Sequence, residues 1–333
     1  MYPELIKIGI VGLGIGRWHI ESFLSIPDVR VAAICDVNEE KLKRIAIRYG
    51  IARTYRNYEE LCESDEIDAI SICTPDDMHA EIAICSLENG KHILSENPIA
   101  NSLADAEKVL EASRRFPDLK AMMAMRFRFN RYAIYTKNMI ESGDLGKIYY
   151  GSTTYMGKNK NSSFHISGIK PVNDGLHLLD LTWWLMGSPD PVEAFGGVFF
   201  PNGDFADNDS HDSAGQESGN LSAGMVRFEN GSYVTFESVL TEITDKEAMK
   251  MRIYGTKGIA MLWPLRVYSK KNGKIVAKTP SLPNIVSESQ FRYFIHCIIS
   301  NKQPISGIDH GVAILKMLDA VYRSVEEGKS IAI

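Results

Sequence analysis

No run of about eighteen apolar residues occurs in this 333-residue chain, so no segment reads as a membrane-spanning helix. The opening stretch MYPELIKIGIVGLGIG also lacks the basic region, long apolar core and small-residue cleavage site of a secretory leader. A cytoplasmic protein with no membrane partner is expected. Positive charge is in deficit: 37 Lys and Arg against 42 Asp and Glu leave a net charge of -5, with no basic stripe. That excludes binding to a phosphate backbone as the main activity, and nucleic acid as a partner. Cysteine is scarce. Cys35, Cys62, Cys73, Cys85 and Cys297 are odd in number and form no CxxC pair, which suits reduced, buried thiols rather than a disulfide or zinc framework. The eight histidines show no HxxxH or HExxH spacing, so no metal is expected, and no internal repeat or low-complexity tract stands out.

The length exceeds what one hydrophobic core usually serves, and 44% hydrophobic with 24% charged residues is ordinary globular composition, so two domains are expected. Up to residue 125, short β-branched runs alternate with amphipathic helical stretches, the pattern of a parallel sheet wrapped by helices. Strands are expected at Ile6–Val11, Val29–Cys35, Ala69–Cys73, His92–Ser95 and Lys120–Met125. Asn38–Tyr49 reads as a helix: Asn38 caps it, Leu42, Ile45, Ala46 and Tyr49 share a face, and Gly50 supplies a left-handed exit.

A linking helix, Arg131–Ser142, ends at Gly143, and strand-like segments follow at Lys147–Tyr155, Val192–Phe199, Leu221–Phe228, Ser232–Leu240 and Met249–Tyr254. Asn230-Gly231 between two alternating runs predicts a hairpin. Helices return at Asp174–Leu185, Ser287–Ser300 and His310–Glu327. The fold class is therefore α/β: an N-terminal Rossmann doubly wound parallel sheet over 1–125, then a C-terminal α+β domain with a largely antiparallel open sheet over 126–333. Two long loops remain, 157–172 and 201–220; the first is expected to cover a substrate and the second to be a solvated excursion. A broad sheet short of covering helices suggests a homodimer or homotetramer.

The strand Ile6–Val11 runs into Gly12-Leu13-Gly14-Ile15-Gly16 and then a helical stretch, placing glycines where a backbone turns tightly against a pyrophosphate at a helix N-terminus. The turn is GxGxG, one residue shorter than GxGxxG, and glycines also mark plain strand-to-helix turns. Asp36 strengthens the dinucleotide reading. It closes the second strand twenty-four residues after Gly12, where a carboxylate accepts from the adenosine ribose and repels a 2′-phosphate. Val37 and Asn38 offer no Arg to hold that phosphate, so NAD is preferred and NADP is less favoured; as a structural alternative, Asp36 serves a helix N-terminus.

The stretch Cys73-Thr74-Pro75-Asp76-Asp77-Met78-His79, followed by Asn89-Gly90-Lys91-His92-Ile93-Leu94-Ser95-Glu96-Asn97-Pro98, closely resembles a block of the Gfo/Idh/MocA oxidoreductases, the glucose-fructose oxidoreductase / inositol dehydrogenase type. There the pattern is TPxxxH and then GKHVLxEKP. Arg128-Phe129, the run from Asn173 to Asp180 against DxGxHxxD, Gly255-Thr256-Lys257-Gly258, Ser306-Gly307 and the closing Ala320–Gly328 helix extend the resemblance over nearly the whole chain. It implies an NAD(P)-dependent dehydrogenase or reductase acting on a CH–OH group of a sugar, cyclitol or related polyol. Gly12, Gly14, Ile15, Gly16, Asp36, Cys73, Thr74, Pro75, His79, Glu96 and Asn97 would line the cofactor, with Thr74, Pro75 and His79 on the nicotinamide side and Glu96 beside its ribose. Arg126, Tyr155, Lys158, Asn173 and His177 would face the substrate, and Arg128 could also reach its hydroxyls. Hydride chemistry then belongs to the cofactor, and the protein supplies placement and proton handling.

Two chemical positions depart from the family pattern. Its EKP lysine is Asn97 and its DxGxH aspartate is Asn173, leaving His177 of a catalytic trio that here reads His177, Asn97, Asn173. Losing a positioned acid or base typically removes 10²- to 10⁴-fold in rate, roughly 3–5 kcal/mol, so a dinucleotide-binding regulatory or non-catalytic homologue is the alternative, as is redox-neutral use of NAD. Lys158, Lys160 or Lys170 could relocate the missing cation. As structural alternatives, both Asn cap loops, Trp183 and Trp184 are core, and Arg128 forms an ion pair.

Overall fold

The computed structural model describes residues 5–157, 173–199, 220–240, 246, 248–282 and 288–333. They form two compact units: one holds the described residues up to Met125 with Glu288–Leu315, the other the described residues of 126–282 with Lys316–Ile333. The first unit begins β1 (Ile6–Val11), α1 (Gly16–Leu24), β2 (Val29–Cys35), α2 (Glu39–Tyr49), β3 (Arg53–Tyr55), α3 (Tyr58–Cys62), β4 (Ala69–Ile72), α4 (His79–Glu88), β5 (His92–Ser95), α5 (Leu103–Arg115) and β6 (Ala121–Met123). The second contains α6 (Arg131–Glu141), β7 (Ile148–Gly157), α7 (Asn173–Leu185), β8 (Pro191–Phe199), β9 (Asn220–Phe228), β10 (Tyr233–Leu240), β11 (Ala248–Gly255), β12 (Gly258–Leu262), β13 (Arg266–Lys271) and β14 (Lys274–Lys278). The chain then makes α8 (Gln290–Ile299) in the first unit, α9 (Ile308–Glu327) and β15 (Ile331–Ala332).

The six strands of the first unit are all parallel, in the order β3-β2-β1-β4-β5-β6. Continuous burial of β4 and of most of β1 and β2 is what a sheet covered on both faces requires. Strand order reverses between β1 and β4, so their C-terminal ends open the crevice in which such folds bind ligands. Helix α2 forms as its sequence predicts: Asn38 accepts from the Lys41 N–H, and Gly50 leaves it at φ 66°. On α1, Trp18, His19 and Phe23 meet the edges of Phe291 of α8 at 4.7–5.1 Å between ring centroids.

The second unit is a nine-stranded sheet, β14-β13-β12-β11-β7-β10-β9-β8-β15, antiparallel throughout except for the β7–β10 pair. The Asn230-Gly231 hairpin joins β9 to β10, with Gly231 at φ 80° and the Asn230 side chain accepting from the Ser232 N–H at 2.9 Å. Helix α7 covers one face over β7 and β10. Gly151 lets it approach, since a Cβ there would lie 2.5 Å from the Thr182 methyl. The other face exposes Met156, Phe195, Met225 and Tyr233.

Several elements were not expected from sequence. β3 and α3 are short pieces that form against β2 and α4, and neither is long enough to show a period. The β13–β14 hairpin carried an Asn272-Gly273 signal, with φ 50° and 78°, but its strands are largely exposed and show no apolar alternation. Of the proposed substrate arginines, Arg128 belongs to the core: its Nε and Nη2 donate to Asp180 at 2.9 and 2.5 Å, with both side chains at most 1% exposed. Its guanidinium also lies over the Trp184 ring at 5.6 Å.

Removing one partner of a buried ion pair is costly, so Asp180→Ala should lower stability by about 3–5 kcal/mol, read as a fall in denaturant midpoint. Replacing both partners (Arg128→Met with Asp180→Leu) should recover most of that loss. A single Asp180→Ala variant within about 0.5 kcal/mol of wild type would contradict the role given to the pair.

Candidate functional site

The turn after β1 is held from both sides. Gly12 N–H donates to the Cys35 carbonyl at 2.8 Å, and Cys73 N–H donates to the Val11 carbonyl at 2.8 Å. Gly12 has φ 86°, and a Cβ on it would sit 2.4 Å from the Cys73 carbonyl oxygen. Only glycine fits there without moving backbone. Gly16 packs less tightly, its hypothetical Cβ 3.1 Å from the Ile10 side chain, whereas a Cβ on Gly14 would meet nothing within 4 Å. Ile15 is the exposed N-cap of α1, and no side chain caps the helix, so its first amides face outward beside Gly14. Sequence reasoning passed over Arg17, whose Nε donates to the Gly14 carbonyl at 3.4 Å.

Asp36 is 7% exposed and organised by three donors: Leu13 N–H and Lys41 Nζ on Oδ2 at 2.9 and 2.8 Å, and Asn38 N–H on Oδ1 at 2.9 Å. Burial pushes the carboxyl up, but the bonds from Lys41, Asn38 and Leu13 outweigh it and hold Asp36 below the usual carboxylate range. Lys41 is the cation not seen in the sequence reading. Its position in the first turn of a helix capped two residues after Asp36 was the available signal.

At the end of β4, Cys73 is buried, and desolvation pushes its thiol well up. Thr74 and Pro75 lead into a 3-10 turn, Asp76–Met78, and then to His79 at the start of α4. His79 is 1% exposed; its Nδ1 faces the Pro98 carbonyl at 2.6 Å and its Nε2 the Thr74 carbonyl at 2.9 Å. Burial pulls its pKa down against the pull of those carbonyls, and a neutral ring donates to only one of them, so one hydrogen bond and one close contact lie between the β4 turn and the loop after β5. There Glu96 is gripped by His19 of α1: Nε2 lies 2.7 Å from the carboxylate, and Nδ1 lies 2.7 Å from the Ser71 hydroxyl. With Nε2 donating to the carboxylate, Nδ1 is left to accept from Ser71.

Three buried side-chain atoms along this wall have no hydrogen-bond partner among the described residues: Thr74 Oγ1, Asp76 Oδ2 and Asn97 Nδ2. Burial, then the neighbouring charges of Asp77 and Glu96, push Asp76 up to about 7. Polar atoms left unsatisfied away from water are uncommon, and a group of them marks where a ligand supplies the missing partners. The eleven residues singled out for a cofactor thus all lie in the first unit, around the ends of β1, β2, β4 and β5.

Of the residues singled out for a substrate, Arg126 is exposed in a 3-10 turn (Arg126–Phe129), its guanidinium 5.0 Å over the Phe127 ring. Tyr155 is 5% exposed on β7. His177 is 8% exposed on α7, its ring edge-on to Phe127 at 5.5 Å. Asn173 is the first residue of α7, and its side chain lies outside the described residues, as do Lys158, Lys160 and Lys170. Among the described residues no group of three or more His, Cys, Asp or Glu could hold a metal ion, and no helix is long and apolar enough to cross a membrane.

Comparison with known families agrees with this geometry. The pattern described as "Oxidoreductase family, NAD-binding Rossmann fold" matches residues 6–119, and "Oxidoreductase family, C-terminal alpha/beta domain" matches 137–333. The chain belongs to the Gfo/Idh/MocA oxidoreductase family. Within that family it is 24% identical over 357 residues to D-glucoside 3-dehydrogenase of Escherichia coli (strain K12), covering 100% of this chain and 99% of that one. It is 25% identical to myo-inositol 2-dehydrogenase of Thermotoga maritima over 76% of this chain and 73% of that one. Among solved structures, scyllo-inositol dehydrogenase from Lactobacillus casei with bound cofactor NAD(H) and scyllo-inositol superposes with a TM-score of 0.78, at 19% identity over 99% of both chains.

The glycine turn yields a paired stability prediction. Gly12→Ala forces a left-handed conformation and a backbone collision, and should lose at least about 1–3 kcal/mol. Gly14→Ala should stay within about 0.5 kcal/mol of wild type. Thermal or denaturant melting of both variants checks this, and equal losses would contradict the assigned geometry.

Proposed function

We propose that this protein is an NAD-dependent dehydrogenase that moves a hydride between nicotinamide and the CH–OH carbon of a sugar, cyclitol or related polyhydroxylated compound. The observation that carries this reading is the partnerless trio of Thr74 Oγ1, Asp76 Oδ2 and Asn97 Nδ2, at the far end of a crevice that begins with the Gly12–Gly16 turn. Sugar and cyclitol dehydrogenases among the relatives support the substrate class.

The residues present fit a dinucleotide. Open space at Gly14 beside the uncapped amides of Ile15 and Gly16 suits a pyrophosphate, and Asp36 keeps acceptor capacity on Oδ1 for a ribose hydroxyl. Beyond the switch point, Cys73, Thr74, Pro75 and His79 form one wall of the nicotinamide end, with Glu96 and Asn97 opposite. Glu96, oriented by His19, accepts from the second ribose. When bound, nicotinamide supplies the hydride acceptor. His177 takes the hydroxyl proton, Asn97 and Asn173 hold hydroxyl groups without charge, and Arg126, Tyr155 and Lys158 are assigned to the substrate. Roles divide as a dinucleotide-binding domain over 1–125, to which Glu288–Leu315 returns, and a substrate and oligomerisation domain over the remainder of 126–333. A homodimer or homotetramer through the exposed face of the nine-stranded sheet fits this assignment. The free cysteines suit a reducing compartment such as the cytoplasm.

Lys41 tempers the cofactor preference, because a cation on Asp36 offsets part of the repulsion between that carboxylate and a 2′-phosphate. NAD should bind more tightly than NADP, Asp36→Ala should weaken NAD and narrow the gap, and Lys41→Ala should weaken NADP more than NAD. Fluorescence titration of both cofactors reads all three, and equal wild-type affinities would overturn the assignment of Asp36.

In single-turnover NADH formation, His177→Ala should lower the rate by roughly 10²-fold or more while leaving NAD affinity unchanged. An unaltered rate removes His177 from the mechanism.

A further inference from the structure

Asp76 opens the turn after β4, is 9% exposed, and buries an Oδ2 that no group bonds. A carboxyl in that condition is held by its surroundings in the neutral form unless a cation approaches. Among the described residues, none of the charges acting on it is positive. Asp77 follows it on the same turn, and Glu96 faces it from the end of β5. The imidazoles nearby are committed elsewhere: His79 of α4 to the Thr74 and Pro98 carbonyls, and His19 of α1 to Glu96 and Ser71. This wall therefore has two carboxylates, a third carboxyl that retains its proton, and orphaned hydrogen-bonding atoms on Thr74 and Asn97 beside it.

The two forms of the cofactor differ by a unit of charge at the ring, since the oxidised nicotinamide is a cation and the reduced one is neutral. We propose that Asp76 is a proton-linked reader of that charge: ionised with oxidised dinucleotide bound, protonated with reduced dinucleotide bound, so that the site's preference moves toward the oxidised form as pH rises. This rests on the dinucleotide reading given above. The proton involved is not the substrate's. In the proposed reaction the hydride would pass from the substrate carbon to the nicotinamide and the hydroxyl proton to His177, while Asp76 would exchange its own proton with solvent, releasing it when the oxidised form binds and recovering it with the reduced form.

The position of the carboxyl, pushed up to about 7, sets the window. Each unit by which the cation lowers the Asp76 pKa makes oxidised-cofactor binding about tenfold tighter above the titration than below it. For the protein alone the sign is opposite. Between the ordinary carboxyl range near 3.8 and about 7, Asp76 is ionised in the unfolded chain and protonated in the folded one, so its contribution to stability falls as pH rises.

The test is calorimetric titration of the full chain with NAD+ and with NADH separately, between about pH 5.5 and 8.5, in buffers of different ionisation enthalpy. Wild type should show an NAD+ to NADH affinity ratio that rises about tenfold across the range, with proton release on binding NAD+ near neutrality. Asp76→Asn should give a flat ratio and no proton release. Asp77→Asn, which removes a carboxylate beside Asp76 at an exposed position, should keep the rise but move its midpoint to lower pH. A wild-type ratio independent of pH, or a rise that survives in Asp76→Asn, overturns the proposal even if both dinucleotides bind. If Asp76→Asn does not fold, the wild-type slope and the Asp77→Asn midpoint decide alone. Failure of folded wild type to bind either dinucleotide at any pH rejects the dinucleotide reading itself.

Discussion

The Cys73 carbonyl occupies the space that any side chain at residue 12 would need, and the first unit is arranged around that approach. It brings the turn after β1 against the end of β4, where strand order reverses. Hydrogen bonds from Gly12 to Cys35 and from Cys73 to Val11 fix the turn to both neighbouring strands. Everything downstream inherits that position. α1 starts close enough to β1 that Gly16 touches Ile10, and the same helix carries His19 inward to Ser71 and Glu96. One backbone contact thus sets the turn proposed for the pyrophosphate, and through α1 it also sets the Glu96 carboxylate proposed for the second ribose.

Electrostatics divides the crevice into two unlike ends. At the end proposed for adenosine, Asp36 is a satisfied anion, with two backbone amides and Lys41 holding it ionised. At the proposed nicotinamide end carboxyl groups lie near one another with no cation among the described residues, and the position that carries lysine in the family pattern is Asn97. The missing positive charge has consequences beyond a lost proton donor. A lysine there would favour ionisation of nearby carboxyls, and without it Asp76 remains protonated up to about pH 7. In the proposed site the position of that lysine is uncharged, and Asp76 is an ionisable group nearby. Reading Asn97 and Asn173 alone, as the sequence invites, leaves that group out.

Much of the fold was legible because its signals are local. Asn38 and Gly50 bracket α2, Asn230-Gly231 turns the β9–β10 hairpin, and the β-branched runs of β1 and β2 lie at the residues read from sequence. β3 and β15 escaped because strands of three and two residues exist by pairing and have no pattern of their own. The β13–β14 hairpin escaped because exposed strands need no apolar alternation. At the candidate site, motif residues such as Gly12, Asp36 and His79 were visible. Lys41, Arg17 and the open valence of Asp76 were not, since each depends on which way a side chain turns after folding. Arg128 shows the reverse error, a suggested substrate ligand that closes a buried ion pair with Asp180.

The central claim is hydride transfer from a polyol carbon to a dinucleotide held by this crevice. The most direct measurement supplies NAD+ with a panel of cyclitols and sugars deuterated at their CH–OH carbons and looks for deuterium in the recovered dinucleotide. The account predicts that at least one member of the panel transfers its label, and that Gly14→Ala, folded but unable to seat the pyrophosphate, transfers none. Dinucleotide that binds tightly yet never acquires deuterium from any member of the panel would contradict it, and would mark the protein as a binder that keeps the fold without the chemistry.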